Sequence, residues 1–348
     1  MRSKVAHLCC AALFTSVLAA VPASAQDKLE PFVIALGGDG LHYAALHIAK
    51  AKGYFKEEGL DVSWPDVSTG TKQVAAVMGR SADLVPTGMT QVLKAVNNGG
   101  KLVAVSTHFD VLPSTLVMSN AAIQRMGIKP GMNLDEKVRL LAKGNAVIGI
   151  SSPGGTSDTM IRTTFKLRGY DPDAVLKLQP LGDGPSMLAA LERGSVEGFV
   201  LQSPATDLAV QRGLAQIIID PFTGEVKEMI DVPYTVMATS RAILAAKPRA
   251  IAAALKAHQR GVKLIHEHPD EARAILRKHF ATMDESTFNA GFKSTLPGIP
   301  KSMVLTPAQV EKTMVWMNIT SDKKIKGEVM DFIDVTAAKE AEASLRSK

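Results

Sequence analysis

Short apolar runs alternate with amphipathic segments along most of the chain. Residues 32–36 form a buried-strand pattern, and residues 41–52 repeat apolar positions at helical spacing on one face. Gly53 ends that helix, and residues 60–64 form the next apolar run. Two strands joined by one helix over so short a distance predict a parallel β–α–β unit near the start of the fold.

The same junction, in which a strand leads into a helix through glycine, proline, serine or threonine, recurs along the chain. It is predicted at residues 37–40, 86–88, 151–159 and 202–204. In open α/β sheets, the loops at the carboxyl ends of the strands line the crevice in which ligands bind. The sequence therefore predicts a binding cleft built from these four loops.

Extended segments in the middle of the chain predict where it crosses between two sheets. Residues 102–108 and 115–118 are extended segments separated by Pro113, and residues 232–238 are a third. A run of helices follows, with no strand pattern of comparable strength after Thr239. The simplest topology is a crossing near Pro113 and a return near residue 232.

This order of segments predicts an α/β fold with two lobes and two crossover segments that act as a hinge. Residues 26–112 and 233–348 form the predicted first lobe, and residues 113–232 form the second. The four loops then face each other across a cleft. Residues 337–348 are polar and rich in alanine, and we expect them to fray.

The first residues have the pattern of an export signal. Arg2 and Lys4 give a basic start, residues 5–21 are mostly apolar, and small residues follow up to Ala25. The apolar run is too short and too mixed for a membrane span. We therefore expect residues 1–25 to be a signal peptide that is cleaved after Ala25, which predicts a periplasmic protein.

Cleavage would change the composition in two ways. Cys9 and Cys10 leave with the signal, so the mature chain would contain no disulfide, thiolate metal site or cysteine nucleophile. Loss of Arg2 and Lys4 lowers the formal charge from +6 to +4, a small surplus that mildly favours an anionic ligand. With 5% aromatic residues and no basic–aromatic interleaving, nucleic acid is not an expected partner.

The loop at residues 154–157, Gly-Gly-Thr-Ser, is the strongest candidate for ligand contact. The first turn of a helix leaves backbone N–H groups without partners, and its dipole favours negative charge. Thr156 and Ser157 add hydroxyl groups. The alternative is that one of them only caps the helix, a contribution of about 1 kcal/mol. The loop lacks the Gly-Lys-Ser/Thr of a nucleotide-binding P-loop.

The glycine run at residues 37–40 does not match the dinucleotide pattern G-x-G-x-x-G. Asp39 either caps the following helix or bonds a polar group of a ligand. His42 and Tyr43 either reach the cleft or pack between helix and sheet. His108 lies at the predicted first crossing, where a cleft wall is expected. The complete set of predicted ligand-binding residues is Gly38, Asp39, His42, Tyr43, Thr87, Thr90, His108, Gly155, Thr156, Ser157, Gln202 and Ser203.

The sequence predicts no catalytic residue, no metal site and no cofactor. The motif G-x-S-x-G is absent, so a Ser-His-Asp triad has little support. His266 and His268 suggest a metal pair, but their spacing is not that of H-E-x-x-H. Pro269 instead fits the first position of a helix, with His268 at its cap.

Four segments resemble a family of periplasmic solute-binding proteins that serve ABC importers of nitrate, sulfonates, taurine and thiamine pyrimidine precursors. They are residues 49–62 (AKAKGYFKEEGLDV), 154–157 (GGTS), 188–198 (LAALERGSVEG) and 203–204 (SP). The resemblance extends over essentially the whole mature chain. It implies the type II periplasmic-binding-protein fold and closure on a ligand.

This resemblance, together with the loop chemistry, predicts a protein that captures a small organic carboxylate or sulfonate and delivers it to the membrane permease of an ABC importer. We expect it to be a monomer and not an enzyme. The alternative is a protein that binds or makes a pyrimidine precursor of thiamine on the same fold. Residues 201–204 lack the aromatic or acidic residue that the family often has in that loop.

Overall fold

The computed structural model describes residues 28–67, 70–110, 114–230, 232–321 and 323–346. The predicted signal peptide, residues 1–25, lies outside this described part, as does the predicted lobe boundary at 112–113. No helix in the described part combines the length and the hydropathy needed to cross a bilayer.

The strands and helices follow each other in an alternating order. The strands are β1 (Glu30–Val33), β2 (Leu60–Ser63), β3 (Val85–Gly88), β4 (Leu102–Phe109), β5 (Thr115–Ser119), β6 (Val147–Ile150), β7 (Lys177–Pro180), β8 (Gly198–Leu201), β9 (Ala215–Ile219) and β10 (Thr235–Ser240). The helices are α1 (Ala44–Ala51), α2 (Tyr54–Glu57), α3 (Gly70–Met78), α4 (Met89–Asn97), α5 (Asn120–Met126), α6 (Leu134–Lys143), α7 (Thr156–Lys166), α8 (Pro172–Val175), α9 (Gly184–Glu192), α10 (Ala205–Gln211), α11 (Arg241–Ala246), α12 (Pro248–Glu267), α13 (Pro269–His279), α14 (Glu285–Thr295), α15 (Pro307–Thr320) and α16 (Thr336–Arg346).

The strands form two groups. In the first lobe, β1 pairs with β2 in parallel, and β10 lies between β3 and β4, antiparallel to both. A bridge between Ile34 and Leu84 places β1 beside β3. In the second lobe the strand order is β7-β6-β8-β5-β9. The chain crosses to the second lobe between β4 and β5 and returns between β9 and β10, so the predicted two-lobed α/β class is confirmed.

The third strand lies further along the chain than the sequence predicted. Residues 86–88 were predicted to be a loop between a strand and a helix, but they belong to the strand itself, Val85–Gly88. Its partner is β10, with Pro86 opposite Met237 and Thr87 opposite Val236. Because the pairing comes from a strand far along the chain, Pro86 and Gly88 belong to a sheet although they look locally like a turn.

The carboxyl-terminal segment was predicted to fray, but it forms a packed helix. Residues Thr336–Arg346 form α16, which packs on α12 and buries Ala338 and Ala341. Glu342 Oε1 also accepts hydrogen bonds from Ser302 Oγ (2.6 Å) and the Met303 N–H (2.7 Å). The alanine-rich composition therefore serves close packing, because small side chains allow the two helices to approach.

Candidate functional site

A cavity of about 520 Å³ lies where the loops of the two lobes meet. This volume is within the range of about 300–1,000 Å³ that is typical of small-molecule sites. The first lobe contributes residues of the loop after β1, the end of β3 and the start of β10; the second contributes the loops after β6, β7 and β8. Apart from the start of β10, these are the carboxyl ends of strands and the loops that follow them, as the loop pattern predicted.

Most of the predicted ligand-binding residues line this cavity. They are Gly38, Asp39, His42, Tyr43, Thr87, Gly155, Thr156, Ser157, Gln202 and Ser203. The structure therefore brings together residues of all four predicted loops, which lie far apart in the sequence.

His108 and Thr90 do not line the cavity. His108 lies in β4, which is buried on both faces, and its Nδ1 is 2.9 Å from Nε2 of His258. Thr90 is buried in the first turn of α4 and is not among the residues that line the cavity. The sequence alone did not reveal which face of β4 or α4 each side chain occupies.

The amino end of α7 enters the cavity without a side-chain cap. Gly155 is the N-cap residue and has no side chain to bond the first-turn N–H groups. Thr156 therefore does not cap the helix, and no hydrogen bond of its hydroxyl is found in the described part of the chain. Asp158, in the same turn, accepts from the Gly154 N–H (2.6 Å) and pairs with Arg162 (2.6 Å), so its charge is compensated.

Ser157 is paired with a serine that the sequence analysis did not single out. Its Oγ accepts a hydrogen bond from the Ser151 N–H (3.0 Å) and lies 2.9 Å from Ser151 Oγ. Both serines line the cavity. One hydroxyl proton joins the two oxygens, and the other remains available to donate to a ligand.

The amino end of α4 faces α7 across the gap between the lobes. Its N-cap is Gly88, again without a side-chain cap, and both Gly88 and Thr156 line the cavity. A Cβ atom at Gly88 would lie 2.8 Å from Thr156 Oγ1. The starts of α4 and α7 can therefore approach this closely only because Gly88 has no side chain.

Hydrogen bonds between the lobes hold this arrangement. Lys94 Nζ (2.6 Å) and Gln91 Nε2 (3.2 Å) donate to the Gly154 carbonyl oxygen, and burial lowers the pKa of Lys94. On the other side, Gln211 Nε2 donates to Asp284 Oδ1 at 2.8 Å. Because these contacts join the two lobes, the cleft is closed in this structure.

The remaining lining residues include several that the sequence analysis missed. They are, among others, Gln73, Gln91, Ser114, Ser151, Ser152, Asp183 and Tyr234. Asp183 caps α9 by accepting from the Ser186 N–H (2.9 Å), a role that its position before Gly-Pro could have indicated. Tyr234, beside the second crossing, gave no local signal; its hydroxyl donates to Gln202 Oε1 at 3.4 Å.

The loop after β1 and the turn that follows it contain His42 and Tyr43, whose protonation states are set by burial. Burial lowers the pKa of His42 to about 3 and raises the pKa of Tyr43 to about 12, so both rings are neutral at pH 7. Tyr43 Oη accepts from the Gly37 N–H (3.3 Å).

Asp39 is not a helix cap. The following turn begins at Gly40 without a side-chain cap, and the Asp39 carboxylate lies beside His47 and His279 instead. Burial raises the pKa of Asp39, but the adjacent His47 and His279 outweigh this effect and lower the pKa to about 2.

A model of the NMT1-like family matches residues 37–279, more than half of the chain and nearly all of the elements that form the cavity. This protein belongs to the NMT1-like family. The resemblance to solute-binding proteins of ABC importers, predicted from the sequence motifs, is thereby confirmed.

Known proteins similar to this NMT1-like chain include binding proteins for small anions. A protein of Bordetella bronchiseptica RB50 aligns with a TM-score of 0.80 and 21% identity, over 92% of this chain and 99% of that one. The periplasmic aliphatic sulphonate binding protein of Escherichia coli aligns with a TM-score of 0.64 and 16% identity, over 85% and 95%. A nitrate/nitrite binding protein of Nostoc sp. is 27% identical over 53% of this chain and 43% of its own length.

These similarities confirm the periplasmic-binding-protein fold for this NMT1-like chain. The chain spans only 36% to 61% of the length of the curated relatives that it matches.

Proposed function

We propose that this protein is the periplasmic substrate-binding component of an ABC importer. It captures a small organic anion, a carboxylate or a sulfonate, in the cavity between its lobes and delivers it to a membrane permease. It does so as a monomer and without chemical change of the ligand. Family membership and the fold support the binding role, and the lining of the cavity supports the choice of ligand class.

The observation that carries the proposal is the meeting of two uncapped helix starts at one cavity. The first turns of α4 and α7 offer the positive ends of two helix dipoles, with Gly88 and Gly155 at their N-caps. Both turns also offer backbone N–H groups, apart from the Met89 N–H, which donates to the Tyr234 carbonyl oxygen at 3.2 Å. Thr156, Ser151 and Ser157 add hydroxyl groups on the same side. Such an arrangement binds an oxyanion without needing a buried lysine or arginine.

The volume of the cavity favours an anion with an organic body. A nitrate ion would fill only a small part of about 520 Å³ and would leave the loops after β7 and β8 without contacts. Tyr43, Tyr234, Pro185 and Leu188 line the cavity and provide apolar surface for an aliphatic or aromatic body.

Removal of the Thr156 hydroxyl is expected to weaken ligand binding by about tenfold. A hydrogen bond to a charged group contributes about 1.5–3 kcal/mol, and each 1.4 kcal/mol corresponds to a factor of ten. Thr156→Val removes the hydroxyl and keeps the side-chain shape, whereas Thr156→Ser keeps the hydroxyl and is the matched control. Ser157 is less suitable for this test because its substitution also releases Ser151.

Isothermal titration calorimetry decides this test, with the tightest ligand from a thermal-shift screen of small carboxylates, sulfonates and nitrate. If Thr156→Val bound the ligand as tightly as the unchanged protein, the Thr156 hydroxyl would not contact the ligand, and the loop would serve only as the start of α7. A screen in which no carboxylate or sulfonate binds would refute the ligand class.

Export is expected to remove residues 1–25 and leave Gln26 as the first residue, because the basic start, the apolar run and Ala23-Ser24-Ala25 form a complete signal pattern. Intact-mass measurement of protein recovered from the periplasm tests this. A retained leader, or a lipid-modified Cys9 or Cys10, would contradict it.

A further inference from the structure

Three potential metal ligands from separate parts of the first lobe meet beside the cavity. Asp39 lies in the loop after β1, His47 in α1, and His279 in the last turn of α13. Asp39 Oδ1 is 2.9 Å from His47 Nε2, and both carboxylate oxygens are 3.1 Å from His279 Nε2. One ligand atom from each of the three residues lies within 4.8 Å of the other two.

The contact between His47 and Asp39 is not an ordinary hydrogen bond. His47 is only 6% exposed, and its Nε2 is buried without a hydrogen bond of acceptable geometry in the described part of the chain. The carboxylate oxygen is close enough but lies off the direction in which a ring N–H donates. A buried polar nitrogen in this state destabilises the fold unless another group binds it.

The imidazole rings of His47 and His279 are packed against each other and against neighbouring aromatic rings. The rings of His47 and His279 stack with centroids 4.0 Å apart and planes 26° apart. Phe280 contacts both rings edge-on, at 5.6 Å from His47 and 4.7 Å from His279. Trp64 also stacks on His47, with ring centroids 6.2 Å apart. Aromatic packing therefore fixes the orientation of both nitrogens that face the carboxylate.

We propose that Asp39, His47 and His279 bind a divalent transition-metal ion of the Zn²⁺ class. Two imidazoles and one carboxylate form a three-residue zinc set with a fourth position left open. Tetrahedral bond lengths of about 2.0–2.2 Å separate neighbouring ligand atoms by roughly 3.3 Å, so the 2.9 Å and 3.1 Å distances need to open by only a few tenths of an ångström. Calcium and magnesium prefer oxygen ligands, so two histidines disfavour them.

The position of the cluster gives the metal access to solvent and to the cavity. The side chains of Asp39 and His279 are 59% and 38% exposed, and Asp39 lines the cavity. A divalent ion would convert the single negative charge at Asp39 into a net positive charge of one. This consequence rests on the proposed function, because a positive charge at the cavity would favour the anion proposed there.

Metal binding is tested directly, without any anion. Tag-free full-length protein is stripped with a chelator and titrated with Zn²⁺ by calorimetry, and with Co²⁺ while the visible spectrum is recorded. We expect one equivalent of Zn²⁺ per chain and the absorption of a cobalt ion with nitrogen and oxygen ligands. His279→Ala and Asp39→Asn should each weaken zinc binding at least about tenfold, since loss of even an outer-shell partner costs 10–100-fold.

His268→Ala is the matched control, because His268 is an exposed histidine at the amino end of the same helix. It should bind zinc as the unchanged protein does. Circular dichroism of each variant shows that the fold is retained, and His279→Ala keeps the test valid if Asp39→Asn is unstable.

Sub-stoichiometric zinc binding would overturn the proposal, and so would equal weakening by His268→Ala and His279→Ala. In either case the three residues would form a packed His–Asp–His cluster that does not bind a metal ion. Anion binding measured on the same stripped protein is independent of this result, so failure of the metal site is distinguishable from failure of the proposed function.

Discussion

Lowering the pH from 7 to 5 is expected to destabilise the protein by several kcal/mol. Burial lowers the pKa of His42 and His258 to about 3 and lowers the pKa of His108 well below its ordinary value. In the unfolded chain the same groups titrate near 6.5. Below that pH the unfolded state takes up protons that the folded state does not, so the free energy of unfolding falls by about 2 kcal/mol per histidine at pH 5.

Two partly buried carboxyl groups act in the opposite direction. Burial raises the pKa of Asp207 and of Asp220, which favours the folded state as the pH falls. The buried histidines outnumber them, so the net change is a loss of stability that continues towards pH 3.

Urea unfolding at pH 7 and pH 5 measures this loss, and one histidine can be assigned by substitution. His258→Gln is expected to reduce the difference in the free energy of unfolding between the two pH values by about 2 kcal/mol. The exposed residue His268, changed to Gln, is the control and should leave the difference unchanged. An equal pH dependence of His258→Gln and the unchanged protein would mean that His258 is protonated in the fold.

Replacement of Gly88 with alanine is expected to weaken ligand binding by about 5- to 150-fold while the fold is retained. The added Cβ would lie 2.8 Å from Thr156 Oγ1 and 3.3 Å from Thr90 Oγ1. Gly88 has φ −62° and ψ 136°, which alanine adopts readily, so each lobe can fold. The cost of about 1–3 kcal/mol for overpacking arises when the lobes close, and it therefore reduces affinity.

A double-mutant cycle separates closure from local damage. In a Thr156→Ala background the main obstacle is absent, so Gly88→Ala should then cost much less affinity. X-ray scattering with saturating ligand should give a larger radius of gyration for Gly88→Ala than for the unchanged protein. Additive losses in the cycle, with equal radii, would show that closure does not depend on this contact.

The parts of the site that local sequence patterns could predict are those made within one loop. Glycines and hydroxyls between a strand and a helix predicted the residues 154–157 and 37–40, and the structure places both loops at the cavity. The signal is reliable because a parallel strand and its following helix fix the position of the loop between them. The same logic did not extend to His108, because a strand buried on both faces gives no alternation to show which way a side chain points.

Features made by residues far apart in sequence could not be predicted. Asp39 and His279 are 240 positions apart and meet only because α13 packs on α1. The nearby pair His266 and His268 looked like the better metal candidate in the sequence. In the structure, His266 Nε2 lies 3.2 Å from the Pro300 carbonyl oxygen, and His268 is the N-cap residue of α13. The spacing of residues along one helix can indicate a local metal motif. It gives no information on ligands that come from distant segments and meet through a tertiary contact.

The place of β10 between β3 and β4 has a consequence for the order in which the molecule is assembled. The strands of the second-lobe sheet form one continuous stretch, from Thr115 to Ile219, whereas the first-lobe sheet lacks its middle strand until residues 235–240 join it. Closing so long a loop has a high entropic cost and is slow. The second lobe can therefore fold from one contiguous segment before the first lobe is complete. The cleft needs both lobes and is formed last. A ligand cannot guide the early steps of folding, and it stabilises only the finished molecule.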